Sequence, residues 1–236
     1  MVYYPRTSRF HAWQFPPMNI SISCDFDGTI TRLDTIDAIL EQFALPQWMD
    51  VEAEWAAGRI GSRECLAQQS EFLRVTPTEL DAFIDQIEVD EDVAPFFADC
   101  LRMGAPVSVV SDGFDWVVRR VLNRMGLRGV PIIANRLVHA GDDRWTVRFP
   151  HSAPNCGSGV CKCSVVSAPS RLVHIGDGRS DACVADACDV VFAKGWLLES
   201  RNRRGLPSIP FDTFATVRAV LPELEIMAPA AAQRIA

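Results

Sequence analysis

The sequence predicts an α/β fold, a doubly wound parallel sheet with an inserted helical cap, and three observations carry that expectation. Five short segments, 20–25, 107–111, 131–134, 171–175 and 190–193, are mostly apolar, as strands buried on both faces must be. Helical patterns lie between several of them, the alternation that builds a parallel sheet covered by helices on both faces. More than eighty residues separate the first two strands, too many for one crossover helix, so an insertion is required.

In chain order, residues 1–18, with Tyr3, Tyr4, Pro5, Pro16 and Pro17, read as an irregular N-terminal arm. The arm holds arginines but no apolar run ending in a small-residue cleavage site, so no secretory signal is expected, and Met18 is an alternative start. A Rossmann-like catalytic core is expected over 19–35 and 93–222, interrupted by the helical cap at 36–92. Segments 33–43, 51–57 and 62–73 read as helices. Thr76-Pro77-Thr78-Glu79 is a capping box with proline at the first helical position, opening a helix that runs to about Ile87. Ala140-Gly141-Asp142-Asp143 lies between two alternating segments, the pattern of a hairpin. A cysteine-rich loop follows at 151–163, and an alanine-rich tail, 223–236, is expected to be flexible.

With 236 residues, 48% of them hydrophobic, the chain can bury a sizeable core. A net charge of −7 and a pI near 5.1 argue against a nucleic-acid groove or an anionic membrane surface. No apolar stretch approaches the ~20 residues that span a bilayer. The eight cysteines are scattered among the α/β elements, which favours free thiols in a reducing cytoplasm. Monomer and homodimer are both compatible with these features.

Four clusters carry chemistry, each expected at the end of a strand: Asp25-Phe26-Asp27-Gly28-Thr29, Ser111-Asp112-Gly113, Lys162 in Val160-Cys161-Lys162-Cys163, and Gly176-Asp177-Gly178-Arg179-Ser180-Asp181. In a doubly wound sheet the carboxyl ends of strands converge on one crevice, where ligands bind. Asp25 and Asp27 would repel each other there, and a hard cation is the simplest offset. Gly28 permits a tight turn. His174, inside an apolar strand, reads as a satisfied core residue, and Arg179 as a helix-capping, surface or site residue. Cys156, Cys161 and Cys163 with His151 invite a zinc site, but their spacing matches no standard zinc ribbon.

The ordered set Asp-x-Asp-Gly-Thr, Ser, Lys and Gly-Asp-x-x-x-Asp resembles the motifs of haloacid dehalogenase-like phosphatases, over nearly the whole chain from Asn19 to Val220. The resemblance implies Asp25 as a nucleophile forming an aspartyl-phosphate and Asp27 as general acid and base. It implies Ser111 and Lys162 as holders of the transferring phosphoryl group. It further implies Mg²⁺ bound by Asp25, Asp177 and the backbone carbonyl of Asp27, with Asp181 securing the metal shell or Lys162. Thr29, Asp34, Asp112 and Gly113 are the expected substrate-binding residues.

The insertion lies where the phosphoserine phosphatase-like branch carries its cap. Phe149-Pro150-His151-Ser152, Cys156 and Cys161-Lys162 resemble two groups within that branch: the 2-hydroxy-3-keto-5-methylthiopentenyl-1-phosphate phosphatases of methionine salvage, and the phosphocholine/phosphoethanolamine phosphatases. The implied substrate is therefore a small phosphorylated metabolite. A phosphotransferase on the same fold is the rival within enzymes, and a binding protein that has lost the chemistry is the rival outside them.

Overall fold

The computed structural model describes residues 19–168 and 170–226. The expected arm at 1–18 lies outside the described residues, as does 227–236 of the expected tail. Seven strands form one sheet: β1 (Ile20–Cys24), β2 (Val107–Phe114), β3 (Ile132–Gly141), β4 (Arg144–Arg148), β5 (Arg171–Gly176), β6 (Val190–Ala193) and β7 (Ile209–Pro210). Their order is β4-β3-β2-β1-β5-β6-β7, parallel throughout except for the antiparallel β3–β4 hairpin. After β1 the chain builds outward to β4 on one side, then returns to lay β5 on the other. The reversal beside β1 leaves a crevice at its carboxyl end, which is where Asp25 and Asp27 emerge.

The second motif lies within β2 and not after it, since β2 runs on through Phe114. From Val110 to Phe114 β2 advances four residues while β3 advances two, from Ile133 to Asn135. That bulge turns Ser111 and Asp112 toward the crevice instead of leaving them in a regular pleat.

Four helices make up most of the insertion: α1 (Thr35–Phe43), α2 (Trp48–Ala56), α3 (Ser62–Ser70) and α4 (Pro77–Ile84). The capping box on α4 is formed, with the Thr76 hydroxyl accepting from Glu79 N–H and the Glu79 carboxylate accepting from Thr76 N–H. Ile39, Leu40, Leu66, Leu80 and Ile84 from these helices, with Leu73 between α3 and α4, share one buried cluster with Ile20, Phe26 and Phe96 of the core. The hairpin supports the insertion from the side. Trp145 Nε1 donates to Val75 O at 2.8 Å, and Val75 N–H donates to Asp143 O at 3.0 Å.

Two further helices, α5 (Val93–Met103) and α6 (Asp115–Arg124), flank β2 in the chain, and α5 ends on Gly104 in the left-handed conformation. The short α7 (Lys162–Val165) precedes β5, and α8 (Ala182–Ala187) and α9 (Gly195–Arg203) follow β5 and β6. The chain closes with α10 (Phe214–Val220) and α11 (Glu223–Ile226). The core extends past 222, a correction to the expected start of the tail: Leu224 is buried, and its carbonyl accepts from Arg171 Nη1 at 2.8 Å. No helix among the described residues is long and apolar enough to cross a membrane.

Candidate active site

Asp25 follows β1 directly, its N–H donating to Ile175 O of β5 at 2.9 Å, so the neighbouring strand fixes its height in the crevice. Its carboxylate accepts from Lys162 Nζ at 2.6 Å, and the same ammonium reaches Asp181 Oδ1 at 2.6 Å. Lys162 is wholly buried at the start of α7, not at the end of a strand as expected. Burial pushes its ammonium down, but Asp181 and Asp25 outweigh that and hold it well above the ordinary lysine range. Burial, with Asp181 and Asp177 nearby, drives the Asp25 carboxyl well above the usual carboxylate range against the pull of Lys162.

Asp27 turns the other way, onto the first turn of α1. Its Oδ1 accepts from Thr35 Oγ1 at 2.5 Å and Thr35 N–H at 3.1 Å, and its Oδ2 accepts from Ser111 Oγ at 3.1 Å. Burial and then Asp34 push the Asp27 carboxyl up to about 7, against the Thr35 and Ser111 hydrogen bonds. A group poised there can both give and take a proton at neutral pH. Gly113 makes this close approach feasible: a Cβ at that position would lie 2.4 Å from Asp27 Oδ2.

Asp177 follows β5. Thr29 Oγ1 donates to its Oδ1 at 2.6 Å, and a Cβ on Gly28 would come 2.5 Å from its Oδ2. One oxygen is thus oriented by Thr29, while the other lies close against Gly28, where a side chain would not fit. Asp25, Asp177 and Asp181 are the one set of three potential ligands among the described residues whose donor atoms lie within 4.8 Å of one another. Hard carboxylate oxygens suit a small divalent cation, and three carboxylates facing one ammonium leave charge for it to offset. Asp181 has less to offer than the other two. Its Oδ1 accepts from Lys162 and His174, and its Oδ2 from the N–H groups of Asp177 at 3.1 Å and Gly178 at 3.0 Å.

Above these groups lies a cavity of about 500 Å³, walled by Asp25, Asp27 and Asp177 below and by Trp55, Leu66 and Gln69 of the insertion above. Three expected substrate contacts change character. Thr29 is buried behind Asp177 and holds that carboxylate rather than facing the cavity. Asp34 caps α1, its Oδ1 accepting from Ile36 N–H at 2.9 Å and Asp37 N–H at 3.2 Å, although it also lines the cavity. Asp112 lines it too, but its carboxylate accepts from Ser62 Oγ at 2.5 Å, Val160 N–H at 2.7 Å and Asn135 Nδ2 at 3.2 Å. These bonds tie α3, β3 and the 157–161 loop together. Gly113 keeps its place on the wall.

Arg179 packs over Trp55 of α2 at 5.6 Å and Trp196 of α9 at 5.9 Å, a cation–π bridge between insertion and core. Cys161 Sγ sits 3.5 Å from Cys163 Sγ, and all eight cysteines are free thiols. Thr35 was not among the expected site residues. Its only sequence signal is a hydroxyl beside a helix-capping aspartate, a common arrangement on any helix.

The family model for haloacid dehalogenase-like hydrolases matches residues 22–186, which contain every motif just placed. The chain belongs to this family. Among curated haloacid dehalogenase-like relatives, the 2-hydroxy-3-keto-5-methylthiopentenyl-1-phosphate phosphatase of Geobacillus kaustophilus is 33% identical over 86% of this chain and 96% of its own length. The protein of that name from Geobacillus thermodenitrificans is 32% identical, covering 87% and 96%. Among solved structures, a phospho-aspartyl intermediate analogue of phosphoserine phosphatase superposes with a TM-score of 0.66 at 21% identity, over 88% of this chain and 99% of that one. A substrate-bound phosphoserine phosphatase gives 0.67 at 20% identity, over 89% and 99%. At that identity the likeness is one of fold.

Proposed function

We propose that this haloacid dehalogenase-like hydrolase is a Mg²⁺-dependent phosphomonoesterase, acting through an aspartyl-phosphate on Asp25. The observation that carries the reading is the floor of the cavity, where Asp25 lies against Lys162 with Asp177 in reach and Asp27 beside it. Asp25 attacks phosphorus as the ester oxygen departs, and Asp27 gives that oxygen its proton. Water then attacks the acyl phosphate, Asp27 takes a proton from it, and inorganic phosphate leaves with the Asp25 carboxylate restored. Lys162 and Ser111 hold the phosphoryl group and its neighbours in line. Asp25, Asp177 and the Asp27 carbonyl would hold Mg²⁺, which when bound supplies positive charge against the phosphoryl oxygens. Asp181, with its oxygens engaged, serves that shell by securing Lys162 and the Asp177 backbone.

The substrate best supported is 2-hydroxy-3-keto-5-methylthiopentenyl-1-phosphate, from the names of the relatives that match over 86–87% of this chain. A second reading, an ammonium-bearing ester such as phosphoserine or phosphoethanolamine, draws on Asp34, Asp37 and Glu52 along the same cavity. The cytoplasm is the proposed compartment, in keeping with eight free thiols. Phosphate release measured with Mg²⁺ on a panel containing these esters tests the reading. The enol phosphate is expected to give the highest kcat/KM, and Asp25→Asn to abolish turnover of every ester. Magnesium-dependent turnover by Asp25→Asn would overturn the mechanism.

A further inference from the structure

We propose that His174 is a positioning residue for phosphoryl transfer, fixing Asp181 so that Lys162 stays against Asp25; this rests on the roles given to those two residues above. His174 lies in β5 opposite Ser23 of β1, wholly buried between Val173 and Ile175. An imidazole in such a place is costly unless both nitrogens are partnered. Both are. Nε2 lies 3.0 Å from Asp181 Oδ1, and Nδ1 lies 3.2 Å from Ser23 Oγ. An ionised carboxylate only accepts, so Nε2 donates to Asp181, and Nδ1 is hydrogen-bonded to the Ser23 hydroxyl.

The result is a continuous buried chain, Ser23–His174–Asp181–Lys162–Asp25, running from the middle of the sheet to the nucleophile. Asp181 Oδ2 is pinned by two backbone N–H groups, those of Asp177 and Gly178. Pinned at one oxygen alone, the carboxylate could still swing about that point. His174 supplies the second fixed point, on the oxygen that receives Lys162. The backbone makes room for this contact at Gly176, where a Cβ would lie 2.5 Å from Asp181 Oδ2 and 2.7 Å from His174 Nε2. A residue that merely filled the sheet interior would need neither the partners nor the glycine.

The test compares wild type, His174→Met, His174→Gln and Asp25→Asn, in kinetics and in crystal structures. Methionine keeps the bulk without the donor, whereas the glutamine amide places an N–H near the position of Nε2. His174→Met is expected to fold, to lose about tenfold or more in kcat, as orienting partners of this kind typically do, and to show Lys162 Nζ displaced from Asp25. His174→Gln is expected to restore most of kcat and the Lys162 position, a rescue that packing alone does not predict. Folded His174→Met with kcat within twofold of wild type and Lys162 unmoved would overturn the proposal. Should that variant not fold, Ser23→Ala, which frees the ring to turn, is expected to lower kcat severalfold, and an unchanged kcat would count against it equally. Failure of the phosphatase reading is seen separately, in an inactive wild type or an active Asp25→Asn, and the displacement of Lys162 is then judged from the crystal structures alone.

Discussion

At Asp27 both carboxylate oxygens are spoken for, one by Thr35 and the other by Ser111, so the side chain has a single orientation before substrate arrives. That preorganisation suits proton transfer, which typically contributes about 10²–10⁴-fold. Asp27→Asn should therefore cut steady-state kcat on an alkyl phosphate by about that factor. Rapid-quench measurement with an ester of good leaving group should still show a burst, because such an ester needs no proton to depart. Thr35→Val keeps the backbone N–H and the shape but removes the hydroxyl, and should lower kcat by about tenfold with little change in KM. Unchanged kcat in Thr35→Val would mean that the backbone N–H and Ser111 orient Asp27 without help. The two aspartates were legible in the sequence because acids at the end of an apolar strand are anomalous. Thr35 and His174 were not, since each acts through a partner 7 or 8 residues away that only folding brings onto the same atom.

The elements that matter most for access are α3 and the loop it meets. Arg63 N–H donates to Gly157 O at 3.0 Å, and a Cβ on Gly61 would sit 2.4 Å from that same carbonyl. Gly61→Ala should push α3 away from the loop, destabilising the fold by about 1–3 kcal/mol and raising KM more than it lowers kcat. Denaturant titration and initial rates on the same preparation check both parts. Arg218 of α10 bonds Asp99 of α5 at 2.8 Å. Burial pushes the Asp99 carboxyl up, but the Arg218 and Arg102 hydrogen bonds prevail and leave it below the usual carboxylate range. A depressed carboxylate pKa contributes stability that is present above the unfolded value, near 3.9, and is lost as pH falls through the folded one. Arg218→Ala should accordingly lower the urea midpoint at pH 7, and the gap from wild type should close as pH falls below about 4. A gap that stayed constant would assign the contact to packing.

For the whole molecule, the cap and the core share one buried cluster, so cap motion must be limited to what the shared packing allows. A cation that binds the folded site alone raises stability by mass action, about 2.7 kcal/mol at a concentration 100 times its dissociation constant. For a domain of this size that corresponds to about 5–10 °C in Tm. Saturating Mg²⁺ should give a shift of that order in thermal unfolding of wild type, and Asp177→Asn should lose most of it. An equal shift in both would place the ion elsewhere.

The sequence by itself determined the mainly parallel α/β sheet, and it singled out Asp25, Asp27, Ser111, Lys162 and Asp177 as candidate site residues. Apolar runs ending in acids, glycine and hydroxyls are local signals, and their order along the chain is enough to read them together. Only the tertiary structure decided what the partly legible residues do. Thr29 holds Asp177, Asp34 caps a helix, Asp112 joins three segments and His174 reaches Asp181. The reason is that a polar side chain's role is set by which donors and acceptors surround it once water is removed. Those neighbours come from strands and helices far apart in the chain, as when Lys162 meets Asp25 across 137 residues.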